Sequence, residues 1–115
     1  MSEREEREKA FIELHEKYAQ TIDGLRRLTQ SERANQLGKQ RLELVLKELG
    51  SMPDNVPTYK QIGRAYFLEP KSELLSTGAK SIATMGSDLE NFKQSKSAVE
   101  QKLKEIQKEI QEMAK

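Results

Sequence analysis

Two apolar ladders in an otherwise charged chain set the strongest limit on its fold. From Phe11, alternating three- and four-residue steps land on Leu14, Tyr18, Thr21, Leu25, Leu28, Glu32, Asn35, Lys39, Leu42, Leu46 and Leu49 without a change of phase. A second ladder runs Leu75, Gly78, Ile82, Met85, Leu89, Phe92, Lys96, Val99, Leu103, Ile106, Ile110 and Met113. A repeat of about 3.5 residues keeps such positions on one narrow helix face, the seam of a coiled coil. Folded back antiparallel, the ladders pair Phe11 with Met113, Tyr18 with Ile106, Leu25 with Val99, Leu42 with Ile82 and Leu49 with Leu75. Registers one heptad away preserve the same pattern, so the pairing is predicted while its register stays open. Glu32, Asn35 and Lys39 make the middle of the first seam polar, which weakens packing there and is a device for fixing register.

Local chemistry agrees with long helices. Ser2-Glu3-Arg4-Glu5 forms a capping box whose acidic residues suit the positive end of a helix dipole. Glu5 with Lys9, Glu13 with Lys17, Glu43 with Lys47 and Glu100 with Lys104 are spaced to pair along a solvated face, each contributing a few tenths of a kcal/mol. Gly24 and Gly38 fall beside the seam and lower helix propensity by about 1 kcal/mol each relative to Ala.

Composition narrows the function. With 35% hydrophobic residues, 34% charged and no Trp, the chain is poor material for a globular core. Its 20 basic and 19 acidic residues nearly balance and its apolar residues are regularly spaced, which favours order over disorder. A net charge of +1, with no basic run, provides no field for recruiting nucleic acid or an anionic membrane. The absence of Cys excludes disulfides and thiolate chemistry. No secretory segment or long apolar run is present, so a cytoplasmic location is expected, with the nucleus as a second compartment. His15 is the sole histidine and reads as a surface residue, not a metal ligand. Gly78 and Gly86 are isolated helix glycines, and no stretch gathers carboxylates, a nucleophile or a phosphate loop. Neither an enzyme nor a bound cofactor or metal is expected.

Between the ladders, Gly50-Ser51-Met52-Pro53-Asp54-Asn55-Val56-Pro57 ends the first helix, because Gly suits a C-terminal cap and prolines cannot continue a helix. Tyr59-Lys60-Gln61-Ile62, then Gly63-Arg64, then Ala65-Tyr66-Phe67-Leu68 reads as two short strands about a tight turn. Gly63 would supply a backbone conformation costly for other residues, and Arg64 a solvated turn position. Pro70 falls near the start of the second helix, where a missing N–H does no harm. A lone hairpin is marginal in water, and a slender helix pair cannot cover Ile62, Tyr66, Phe67 and Leu68 together. Either the hairpin caps its own helices at Leu49 and Leu75, or hairpins from other subunits pair with it to close a sheet or barrel. The second outcome is expected, with Tyr59, Ile62, Gly63, Tyr66, Phe67 and Leu68 as the oligomerisation site. The fold class is thus mainly α with one β-hairpin, inserted at the closed end of an antiparallel coiled coil. One domain over 1–115 would comprise a helix over 3–49, a connector and hairpin over 50–71, and a helix over 72–114, each arm roughly 45 residues and on the order of 65 Å long.

The order long helix, one β-hairpin, long helix, carried by the stretch Tyr59-Lys60-Gln61-Ile62-Gly63-Arg64-Ala65-Tyr66-Phe67-Leu68, resembles the β-class subunits of the prefoldin chaperone over essentially the whole chain. Gly63-Arg64 ahead of an aromatic-rich strand is similar to the subunit 1 group of eukaryotes. Pro70 directly after the second strand and the long Pro53 to Pro57 connector depart from the general pattern. The resemblance implies a hetero-hexamer of two α-class and four β-class subunits, joined by their hairpins into β-barrels from which the coiled coils project. It further implies that the arm tips bind unfolded client proteins such as actin and tubulin, and deliver them without nucleotide to the cytosolic group II chaperonin. The tips are the chain ends. The implied client surface therefore draws on Phe11, Leu14, Tyr18 and Ile22 from the first arm and Leu103, Ile106, Ile110 and Met113 from the second. Ile22, beside the seam, is the member expected to be most exposed, and Met113 is adaptable in such a role.

Two other classes fit the ladders alone. A structural coiled-coil protein would dimerise through its helices and tolerate loss of residues 58–68. An adaptor would display one preferred peptide groove and bind a single partner.

Overall fold

In the computed structural model, which describes residues 2–114, two long helices flank one hairpin. Helix α1 spans Glu3–Ser51, strands β1 and β2 span Tyr59–Ile62 and Ala65–Leu68, and helix α2 spans Lys71–Met113. The start of α1 is capped as expected: the Glu5 amide donates to Ser2 Oγ at 3.2 Å and the Glu6 amide to the Ser2 carbonyl at 3.0 Å. Its end lies two residues beyond the predicted one, because Gly50 is accommodated in the last turn and Pro53 is the residue that stops the helix. Pro70 precedes α2 directly and its carbonyl accepts from Glu73 and Leu74, so α2 begins at Lys71.

The chain divides into two compact units, one formed by α1 up to Glu32 with α2 from Asn91, the other by Arg33–Glu90. In the first unit the helices run antiparallel: Gln107 Nε2 donates to Tyr18 Oη at 3.2 Å, and Lys96 Nζ lies 3.9 Å from a Glu32 carboxylate oxygen. Ile106 is the most deeply covered side chain, 2% exposed. Thr21 is also buried on the seam, and its hydroxyl is satisfied by donating to the Lys17 carbonyl at 2.7 Å.

In the second unit the helices again run antiparallel. Asn35 Nδ2 donates to the Met85 carbonyl at 2.8 Å. Leu46 lies directly against Gly78, a pairing in the same register as Leu42 with Ile82 and Leu49 with Leu75. Every seam position of both ladders is at least partly covered except Phe11. The surface ion pairs differ from those expected. Arg4 with Glu8, Asp23 with Arg27 and Lys39 with Glu43 close instead of the four predicted pairs, as befits long exposed side chains that gain little from any one partner.

Candidate assembly hairpin and client surface

The hairpin is placed by its turn and by the connector beneath it. Gly63 has a φ of 62° and no non-glycine among the described residues has a positive φ, the sign pattern of a two-residue II′ turn with Gly first. The turn sets the antiparallel register Tyr59 to Leu68, Lys60 to Phe67, Gln61 to Tyr66 and Ile62 to Ala65. The ladder continues one step further, with the Glu69 amide donating to the Thr58 carbonyl at 3.0 Å and the Thr58 hydroxyl to the Glu69 carbonyl.

Directly opposite residues share a sheet face. Tyr59, Gln61, Tyr66 and Leu68 therefore occupy one face, and Lys60, Ile62, Ala65 and Phe67 the other. Every one of these residues is exposed, with Tyr66 67%, Leu68 68% and Phe67 50% accessible. The hairpin does not cap its own helices, and both faces are apolar and uncovered. Leu49 and Leu75, the proposed seats for such a cap, are only partly covered.

Lys71 anchors the connector, a role the sequence reading missed. Its ammonium donates to the Met52 carbonyl at 2.7 Å, reaches the Gly50 carbonyl at 3.5 Å, and lies 2.9 Å from Asp54 Oδ1. The last turn of α1 holds no basic residue of its own, so Lys71 supplies the cation its negative end favours. The hydrogen bond and charge of Lys71 hold the Asp54 carboxyl below its usual range. The signal available was a Lys at the start of α2, where a cation opposes that helix's own dipole and so needs another partner.

The client-surface candidates distribute unevenly over the first unit. Phe11 is 38% exposed and its ring meets His15 edge-on, with centroids 4.4 Å apart. Leu14, Tyr18, Ile22, Leu103, Ile110 and Met113 are half-buried, and Ile106 is buried. Ile22 is not the exposed member of the set. Within the set that place belongs to Phe11, and Ile12 beside it, which was not among the candidates, is more open still at 59% exposed. Two shallow clefts flank Phe11, one of about 560 Å³ shared with Arg7 and Met113, the other of about 500 Å³ shared with Ile12 and Ala19.

No group of acidic, His or Cys side chains able to hold a metal occurs among the described residues, and no described helix is long and apolar enough to cross a membrane. Among the described residues, the one buried side-chain oxygen lacking a hydrogen bond is Glu32 Oε2, which faces Lys96 and belongs to the seam.

Comparison with known proteins places this arrangement. A family model described as Prefoldin subunit matches residues 13–115. The chain is 26% identical over 104 residues to a protein named Prefoldin subunit 1 from Arabidopsis thaliana, covering 90% of this chain and 81% of that one. It is 31% identical over 112 residues to Prefoldin subunit 1 of Tetraodon nigroviridis, covering 95% and 89%. The crystal structure of the prefoldin beta subunit from Thermococcus strain KS-1 matches its fold with a TM-score of 0.78 at 21% identity, covering 90% of each chain. The helix–hairpin–helix order, the exposed hairpin and the extent of the family match together show that this chain belongs to the prefoldin subunit family, chaperone subunits that assemble with one another.

Proposed function

We propose that this chain is a β-class subunit of a hetero-hexameric, ATP-independent co-chaperone in the cytoplasm. In this reading the hairpin joins it to other α- and β-class subunits, and the helix ends hold unfolded clients such as actin and tubulin for the group II chaperonin. The observation that carries the reading is a hairpin apolar on both faces and covered on neither. Such a hairpin needs a neighbour above and below it and a strand at each free edge. Phe11, Ile12 and Met113 form the ready client surface, shallow and tolerant of many sequences, with Tyr18, Ile22 and the inner seam residues Leu14, Leu103, Ile106 and Ile110 joining as the helix ends open.

The test combines this chain with partner prefoldin subunits and follows mass in solution and suppression of aggregation of denatured actin. Tyr66→Ser with Phe67→Ser is expected to prevent assembly while the helical signal persists. Ile12→Ser with Met113→Ser is expected to leave the assembly intact and weaken aggregation suppression severalfold. Unchanged assembly of the first variant would remove the hairpin role, and unchanged suppression by the second would remove the client surface.

A further inference from the structure

A groove of about 600 Å³ lies within the second unit, between the last turns of α1, the start of β1 and the first turns of α2. Its lining is mainly apolar and includes Leu42, Val45, Leu49, Met52, Tyr59 and Leu74, together with Gly78. Val45, Met52 and Tyr59 are exposed on its rim. Leu46, another lining residue, packs on Gly78: its Cδ2 lies 2.5 Å from where a Cβ would stand, so a side chain there would force Leu46 to shift. Glu48 and Lys60, the charged residues of the lining, are opposite in sign, which leaves no net charge to select an ionic ligand.

The groove borders β1 and no residue of β2. The sheet has two strands in the order β1-β2, so the outer edge of β1 carries backbone groups without a strand partner. The lining takes in Tyr59 and Lys60, which lie on opposite sheet faces, so the groove opens at the start of the β1 edge itself, and a strand added along that edge would bring its side chains next to it. We infer that the groove is the seat of an apolar or aromatic side chain from the hairpin of a neighbouring prefoldin subunit paired along β1. The interface then extends from the hairpin onto α1 and α2. This inference rests on the assembly role of the hairpin and adds to it a specific pocket, reached through Val45 and Met52.

Two measurements test it on the full-length chain. In the first, assembly with partner prefoldin subunits is titrated for wild type, Val45→Lys, and Tyr66→Ser with Phe67→Ser. Val45 is an exposed helix position outside the seam, so its substitution should keep the helical signal while weakening assembly about tenfold or more. Loss of assembly in the hairpin variant with none in Val45→Lys would overturn the groove and leave the hairpin role standing; no loss in either would overturn both. The second measurement needs no variant and compares oxidation of Met52 and Met113 in the isolated chain and in the assembly. Protection of Met52, and not of Met113, on adding partner subunits is expected. Protection that instead appears on raising the concentration of this chain alone, or only on adding denatured actin, would assign the groove to a second copy or to a client and overturn the inference.

Discussion

Gly24 and Gly78 both interrupt sequence that otherwise favours helix, yet their surroundings give substitutions at the two sites opposite signs. A Cβ at Gly24 meets nothing within 4 Å, whereas at Gly78 it falls 2.5 to 3.0 Å from three atoms of the Leu46 side chain. Gly24→Ala should raise stability by about 0.5–1 kcal/mol through helix propensity alone. Gly78→Val should lower it by about 1–3 kcal/mol because the Leu46 side chain, packed directly on Gly78, must shift to accept it. Thermal melts followed by circular dichroism should show the two midpoints moving in opposite directions. The Asp54–Lys71 pair adds a pH dependence of known sign. The folded Asp54 carboxyl titrates below its ordinary 3.8, so its contribution is present above that value and is lost as pH falls through the lower, folded value. Asp54→Asn should flatten the loss of stability below about pH 4, as read from acid titration of the helical signal. A heptad reading names the seam and, at most, positions beside it such as Ile22, so Ile12 and Lys71 were not legible: one is exposed and away from the seam, the other acts on a helix end brought near by the connector.

At the scale of elements, the turn decides whether the hairpin can present its side chains at all. Strand limits at Tyr59–Ile62 and Ala65–Leu68 agree with the sequence pattern because Gly63-Arg64 lies between Tyr59 and Ile62 on one side and Tyr66 and Phe67 on the other, all of high β-propensity. The exposure of both faces was harder to read, since alternation assigns residues to faces without saying which face is covered. Gly63→Val places a β-branched residue at a φ of 62°, which costs about 1–2 kcal/mol in a hairpin with no cover of its own. Hydrogen exchange should show faster exchange of the Thr58–Glu69 and hairpin amides, with the α1 and α2 amides unchanged. Equal loss of protection in the helices would mean that the hairpin is not an independent element. Helix pairing was legible from the ladders, whereas its register was not, because neighbouring registers match equally well in apolar content. Leu46 against Gly78 and Asn35 on the Met85 carbonyl are the contacts that distinguish one from another.

For the molecule as a whole, the surface left open is the quantity that ties fold to function. Among the described residues, Ile106 is the one hydrophobic side chain fully inside. The hydrophobic effect that stabilises an ordinary domain is therefore only partly realised by this chain alone, and in the proposed assembly partner subunits contribute the rest. Stability should then depend on partner concentration by mass action, rising by about 2.7 kcal/mol when partners are present at a hundred times the dissociation constant. Urea titrations of the isolated chain and of the chain with increasing partner prefoldin subunits should show the midpoint moving upward with concentration. The same titrations on Tyr66→Ser with Phe67→Ser should show no movement, since the surface that couples folding to assembly has been removed. A wild-type midpoint indifferent to partners would mean that the exposed hairpin is not where this subunit gains its stability.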